Sequence, residues 1–509
     1  MTEKVKINID GKDFEVPAGQ TIFNAAKDLG IEIPHFCYHP KLSIAGNCLL
    51  CQVEVEGARG PVISCRETVR EGIVVRINSE SAQQTSKDVL EFILVNHPLD
   101  CPICDQSGEC KLQDQYFNHS VQPSRMQEPK IHKPKAKKIG PQVHLDDERC
   151  VLCTRCIRFC DEVVGKHQLM LRERGGYTKI DVLDDAQLDN DYSLCTVDIC
   201  PVGALTSSDF RFKKRVWFLS STPSVCGGCA TGCNVWLEHH DGVAYRMCPR
   251  ENEAVNQCWA CDAGRMTYKD IHAENRVLFP LLKTADVYQR VSWSEALKSA
   301  KAALEGIAAK SLVGVLSARV SNEENFAFAR FCKDILKTSE LVWSGAKAEP
   351  EFADNILRNA DRNANVRGVE MLTGKRLSSA TQAKAFVVLG KLSAEEEQWI
   401  KSQNAVVIWA TEHADQSKAW ADVVFPRATH FEQDGTFINA QGRVQKFNKA
   451  FEPRVESLPG WQIVSRLTQA WGQLTVGSSA EDIFENEKSN FAPLAKLSWQ
   501  QISAVGVQL

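Results

Sequence analysis

The sequence predicts an α+β half followed by an α/β half, and three observations carry that prediction. The chain opens on an alternating hairpin and then a helix. Of its 20 cysteines, all but Cys332 lie at or before Cys261, so a metal-dense half precedes a metal-poor one. Beyond Cys261, short apolar runs alternate with helical stretches, the pattern of parallel α/β layers. A length of 509 residues suggests about three domains.

Composition narrows the classes. Hydrophobic residues make up 43% and charged residues 24%, enough for globular cores. A net charge of −4 argues against nucleic acid as the main partner. No apolar run approaches the ~20 residues of a bilayer span, and the amino terminus has no signal-peptide apolar region. These features predict no direct membrane insertion. Without disulfide-forming context, this many cysteines point to metal ligation.

In chain order, residues 5–9 and 13–16 alternate apolar and polar around the turn Asp10-Gly11. Thr21 should cap a helix running to about Leu29, ended by Gly30. Hairpin then helix is how β-grasp ferredoxins begin. Cys37, Cys48, Cys51 and Cys65 follow at C-x10-C-x2-C-x13-C spacing, looser than the plant-type pattern. They are read as ligands of a [2Fe–2S] cluster, with Gly46 placed to bring backbone amides to the sulfurs. A zinc knuckle is the alternative.

Residues 80–96 should form an amphipathic helix with Val89, Phe92, Ile93 and Asn96 on one face. Then come His97, Cys101, Cys104 and Cys110. A lone histidine is usually structural. Three neighbouring thiols without a fourth cysteine make His97 the fourth ligand of a [4Fe–4S] cluster. A neutral imidazole in place of a thiolate should raise its potential. Residues 120–142, with four prolines and five lysines, read as an extended basic connector, either solvated or strapped onto an acidic partner.

Cys150, Cys153, Cys156 and Cys160 repeat the bacterial ferredoxin spacing, completed by Cys200-Pro201. Counting back from Cys200 by the same spacing reaches Thr196, Ser193 and Asn190, none a good iron ligand. One [4Fe–4S] cluster on Cys150, Cys153, Cys156 and Cys200 is predicted, with Cys160 and Cys195 left over. Cys226, Cys229, Cys233 and Cys261 form a fourth set around a predicted hairpin at 235–246. They imply a third [4Fe–4S] cluster, with Cys248 and Cys258 as bystanders. Zinc on four thiolates is the alternative at both sites. Farther on, strands are expected at 312–316, 386–389, 406–409 and 422–425, and helices at 294–309 and 322–337. No G-x-G-x-x-G or Walker motif appears, so hydride chemistry belongs to another subunit.

The order of these sites resembles the large iron–sulfur subunit of NADH–quinone oxidoreductase, respiratory complex I. His97-x3-Cys101-x2-Cys104-x5-Cys110, Arg149-Cys150-x2-Cys153-Thr-Arg-Cys156 and Cys200-Pro-Val-Gly-Ala-Leu-Thr206 carry the resemblance. It implies a wire from the Cys37 cluster through the Cys150 cluster to the His97 cluster, with the Cys226 cluster as a side site. It also implies partners: a flavin-bearing NADH-oxidising subunit, quinone-side iron–sulfur subunits and other peripheral-arm subunits. A peripheral position on the cytoplasmic face of the plasma membrane would follow. The equivalent subunit of a soluble NAD-linked hydrogenase or formate dehydrogenase complex is the alternative.

The second half looks like a molybdopterin-oxidoreductase domain, through Cys261-Asp-Ala-Gly-Arg265, Trp293-Ser-Glu-Ala-Leu297, Ser317-Ala-Arg-Val-Ser-Asn-Glu-Glu324, Asp434-Gly-Thr-Phe-Ile-Asn439 and Gly442-Arg443. The loop that carries molybdenum's ligand in catalytic members is not evident, and Cys332 reads as core. A degenerate scaffold without molybdopterin is expected. The predicted division is 1–78 (β-grasp), 79–119 (His/Cys helical segment), 120–142 (connector), 143–218 (ferredoxin-like), 219–275 (the fourth cluster) and 276–509 (degenerate α/β).

Overall fold

A computed structural model describes residues 3–121, 123–183, 186–475 and 477–509. They form two compact units that divide between Phe218 and Leu219.

The first unit opens on a mixed five-stranded sheet. Its order is Lys12–Pro17, Lys4–Ile9, Ile73–Arg76, Gln52–Val55, Val62–Ile63. The opening hairpin pairs Ile7 with Phe14. Its turn places Asp10 and Gly11 at φ 48° and 80°, the left-handed pair that a two-residue hairpin needs. Thr21 caps the helix Ile22–Asp28 by accepting from Asn24 N at 3.2 Å. That helix buries Ile22, Phe23, Ala25 and Ala26 against Ile7, Ile9, Val53 and Val75 of the sheet. Gly30, at φ 73°, ends it.

The next helix spans Glu80–Leu94, two residues shorter than the periodicity predicts. Its buried face is Ala82, Ser86 and Leu90, and Phe92 is 80% exposed. Phe92 therefore does not belong to the buried face, and Val89 and Ile93 only border it. Ala82 and Ser86, small and four apart, let this helix sit close on the chain with Leu90, while Val89 and Ile93 are half-buried and Phe92 points away. The connector is also not a solvated linker. Lys130 Nζ donates to Leu94 O and Val95 O, and Lys133 Nζ to Thr178 O. Lys135 pairs with Asp100 and Glu148, and Lys137 with Asp147. Four of its five lysines satisfy carbonyls and carboxylates of the same unit, so the acidic surface under the strap is the chain's own.

A small antiparallel sheet of Leu205–Ser207, Val143–Leu145 and Lys137–Lys138 follows, with a hairpin of Leu169–Arg172 and Lys179–Val182. The short helix Arg155–Arg158 continues as a π-turn over Phe159–Val164.

The second unit begins with the antiparallel strands Ser220–Val225, Asn234–His240 and Val243–Pro249. Its main sheet has seven strands. Val423–Pro426, Val406–Thr411, Ala385–Leu389, Leu312–Ser317 and Leu341–Ser344 run parallel. The antiparallel edge Leu281–Thr284 and Val287–Arg290 completes it. The middle strands read as continuous apolar runs because both faces are covered. The helices Trp293–Leu304 and Asn322–Arg330 end earlier than predicted, the second passing into a π-turn over Phe331–Ile335. Cys332 lies in the core.

The helix Asn322–Arg330 is buried from Asn322 to Ala329 despite its polar start. Ser321 and Glu324 form a capping box. Glu324 receives Arg427 through Nε at 2.7 Å and Nη2 at 2.8 Å, and Arg427 Nη1 also reaches Glu412 at 2.8 Å. Both charges are buried yet paired bidentately, the geometry that makes such burial tolerable. Among the described residues no helix is long and apolar enough to cross a membrane.

Candidate metal centres

Four groups of candidate ligands come together, three in the first unit and one in the second. In the first group the thiols of Cys37 and Cys48 hydrogen-bond each other, as do those of Cys51 and Cys65. Cys37 is held down to about 5, first by the Cys48 thiol and then by backbone N–H groups of Cys48, Asn47 and Gly46. Gly46 adopts φ 63°, which turns these amides toward the sulfur. Two thiol pairs suit two irons, two ligands to each.

His97, Cys101, Cys104 and Cys110 line one cavity of about 460 Å³, together with Arg149, Lys130 and Gly203. His97 is lowered to about 4, first by burial and then by the nearby Lys130 and Arg149 cations. It is therefore neutral at pH 7, the form that ligates metal. Leu99 and Ile103 are exposed beside this site, as is Cys101.

Cys150, Cys153, Cys156 and Cys200 line a smaller enclosed cavity with Leu145, Ile180 and Val202. Leu152 N points at Cys150 Sγ at 3.4 Å. Leu152 and Thr154 take φ 54° and 59°, conformations that turn a tight loop inward. Burial pushes the Cys153 thiol up to about 11 and raises Cys150, Cys156 and Cys200 as well. Cys160 is buried outside this cavity. The broken second run is also explained. Asn190 Nδ2 donates to Gln168 Oε1 at 2.6 Å, and Thr196 Oγ1 to Ser193 O at 2.7 Å. Where a second cluster's ligands would stand, a buried polar network stands instead.

In the second unit Cys226, Cys229, Cys233 and Cys261 line a cavity with Gly228, Gly264, Arg265 and Arg362. Gly228 N and Gly264 N approach Cys226 Sγ and Cys261 Sγ at 3.4 and 3.3 Å. A Cβ at Gly264 would stand 3.0 Å from Cys226 Sγ and 3.2 Å from Cys261 Sγ, tighter than ordinary contact with both thiols. Arg362 Nε anchors to Gly228 O at 2.9 Å. Cys248 and Cys258 do not line this cavity. Sequence reasoning missed Arg362. It lies 101 residues beyond the last candidate ligand in an irregular segment, where no spacing rule applies.

The donor sets fit iron–sulfur clusters. Among the described residues no three His, Cys, Asp or Glu side chains are close enough to share one metal ion. A tetrahedral zinc would gather its thiolates to about 3.8 Å from one another. A cluster spreads them over separate irons. Buried thiols with raised pKa values need cationic metal to stay deprotonated.

The sites within the first unit adjoin. Lys111 N, next to Cys110, donates to Pro201 O, next to Cys200, at 3.0 Å. A Cβ at Gly203 would overlap Cys104 Sγ. Asn47 Nδ2, next to Cys48, donates to Leu152 O, next to Cys153, at 3.2 Å.

Comparison with known proteins gives four matching family descriptions. Residues 2–80 match a 2Fe-2S iron-sulfur cluster binding domain, and 87–125 the NADH-ubiquinone oxidoreductase-G iron-sulfur binding region. Residues 140–206 match the NADH-quinone oxidoreductase subunit 3 ferredoxin-like domain, and 347–470 molybdopterin oxidoreductase. Proteins named as the subunit of NADH-quinone oxidoreductase designated G are 38% identical. That of Streptomyces coelicolor aligns over 77% of this chain and 47% of its own length. That of Rickettsia felis aligns over 72% and 54%. The chain thus spans about half the length of these relatives. A solved chain from an NAD+-reducing [NiFe]-hydrogenase is 29% identical over 42% of this chain and 91% of its own, with a TM-score of 0.38, too low to carry an argument.

Proposed function

For a chain homologous over most of its length to proteins named as that subunit of NADH-quinone oxidoreductase, we propose an electron-relay role in that complex. It takes single electrons from a flavin-bearing NADH-oxidising subunit and passes them towards quinone through partner iron–sulfur subunits. The observation that carries this reading is adjacency: three donor sets stand in one unit, joined by hydrogen bonds between residues that flank their ligands, Asn47 Nδ2 to Leu152 O and Lys111 N to Pro201 O.

When bound, one [2Fe–2S] and three [4Fe–4S] clusters supply reversible one-electron chemistry at low potential. The chain's own residues hold and tune these sites. Cys37, Cys48, Cys51 and Cys65 form the first, on a β-grasp module. Cys150, Cys153, Cys156 and Cys200 form the middle one, on a ferredoxin-like module. His97, Cys101, Cys104 and Cys110 form the last of the wire. Its neutral imidazole and the nearby Lys130 and Arg149 favour the more reduced state. The exposed Leu99 and Ile103 give it an apolar rim for the next partner. Cys226, Cys229, Cys233 and Cys261 form a side site on a degenerate molybdopterin-oxidoreductase-like scaffold. The whole sits peripherally on the cytoplasmic face of the plasma membrane, held by other peripheral-arm subunits.

Metal analysis with low-temperature EPR on the full chain tests this. About fourteen iron per chain with negligible zinc is expected, and so is copurification with membrane subunits carrying quinone reductase activity. One molybdenum per chain, or copurifying hydrogenase subunits, would overturn the reading.

A further inference from the structure

Two arginines in the Cys153-Thr-Arg-Cys156-Ile-Arg158 segment span the gap between the first and middle sites. Arg158 Nη2 donates to Cys37 O at 2.6 Å and to Cys153 O at 3.3 Å, so one nitrogen joins ligand residues of two different sites. Its Nη1 donates to Ser43 O. Arg155 repeats the arrangement one step out. Its Nη2 donates to Tyr38 O at 2.5 Å, next to Cys37, and its Nη1 to Ile199 O at 3.2 Å, next to Cys200.

Both side chains are half-buried, and Arg155 Nε is enclosed with no hydrogen-bond partner. Among the described residues neither guanidinium has a carboxylate in ion-pair reach, although Glu162 stands close by, bonded to Ser43 N at 2.8 Å. A partly desolvated cation without a counter-charge is costly. Besides Glu162 on the Arg158 side, the groups that face these two are sulfur ligands. Arg155 is in electrostatic reach of Cys37, Cys153 and Cys200, and Cys153 of both arginines. Neutral carbonyls fix the pair, so both positive charges remain free to act on whatever the thiolates hold.

We propose that Arg155 and Arg158 form a cationic bridge shared by the Cys37 and Cys150 centres, coupling them electrostatically and through hydrogen bonds. This deepens the relay reading and rests on it. In the step concerned, one electron leaves one centre and enters the other, and no bond is made or broken. Reduction adds a negative charge at either end, and the same two cations stabilise it there. Both potentials are therefore raised together, and the step between them is left little changed. The bridge also replaces empty space with bonded atoms, Cys37 C=O···H–N–H···O=C Cys153, across which electronic coupling decays less steeply.

The test is an EPR-monitored redox titration of the cluster-loaded full chain, comparing Arg155→Gln and Arg158→Gln with Arg158→Lys. In each glutamine variant with iron retained, both centres should fall in reduced-to-oxidised ratio about tenfold at fixed ambient potential, a downward shift of about 59 mV. Charges near the His97 centre are Lys130, Arg149, Asp100 and Lys135, so that centre should not move and serves as internal control. Arg158→Lys keeps the charge and should leave both potentials near wild type. Unchanged potentials in the glutamine variants, or a shift at one centre alone, would overturn the bridge. Should glutamine prevent cluster assembly, the lysine variant decides: wild-type potentials support the bridge and a shift in either centre sinks it. Absence of either EPR centre from the unsubstituted chain would count against the relay reading itself.

Discussion

Gly203→Ala probes the place where the middle and His97 sites touch. Gly203 is outside the left-handed region, so alanine brings no backbone strain there. A methyl at this position overlaps Cys104 Sγ and stands 3.1 Å from Gln106 Cβ. Ordinary contact needs about 3.5–4 Å, so Sγ or the loop must move by more than about 1 Å. The loop is held on both sides of Gly203: Lys111 N bonds Pro201 O at 3.0 Å and Asp146 N bonds Ala204 O at 2.8 Å. The sulfur must therefore yield. A free thiol can rotate away at a cost of about 1–3 kcal/mol, as overpacking usually does. A thiolate bonded to a cluster cannot. The variant is expected to fold, to keep its other centres, and to drop from about fourteen to about ten iron per chain. Its EPR spectrum should lack the His97 centre alone. Iron assay and EPR of the purified full chain measure this. Wild-type iron with an unaltered His97 signal would refute both the contact and the assignment of Cys104 as a ligand.

Three further outcomes follow from the same geometry. His97→Cys should keep the cluster and lower its potential by adding a thiolate charge; a titration curve superimposing on wild type would remove His97 from the ligand set. Cys200→Ser should lose the middle cluster, whereas Cys160→Ser, outside that cavity, should retain it; the reverse pattern of EPR signals would exchange their roles. In the second unit burial raises Glu323 to about 7, although Thr436 N donates to it at 2.8 Å. Its folded value lies above the unfolded one of about 4.3. Its contribution to stability is therefore full below about pH 4 and lost as pH rises through 7, a change of about 4 kcal/mol. Glu323→Gln should flatten that part of the pH dependence in urea titrations followed by tryptophan fluorescence. A variant with the wild-type slope between pH 5 and 8 would show that Glu323 is not the titrating group.

The sequence by itself determined the local pieces, because they depend on neighbours within a few residues. Asp10-Gly11 must turn, Thr21 must cap, and a C-x2-C-x2-C loop must turn its sulfurs to one side. Continuous apolar runs such as Leu312–Ser317 must be buried on both faces. Even the return of Cys200 to a loop 44 residues earlier was legible, because a remote Cys-Pro is what completes the ferredoxin spacing. Tertiary structure decided what no spacing encodes. Phe92 has helical periodicity, but which face a helix buries depends on what it meets, and here Ala82, Ser86 and Leu90 meet the chain. The connector's lysines look solvated until Asp100, Asp147 and Glu148 fold beneath them. Arg362 reaches Gly228 from 134 positions away, and Arg158 reaches Cys37 from 121. A guanidinium finds its carbonyls through space, and a linear pattern contains no signal for that. The candidate ligands were therefore readable from the chain, and the charges that stand beside them only from its fold.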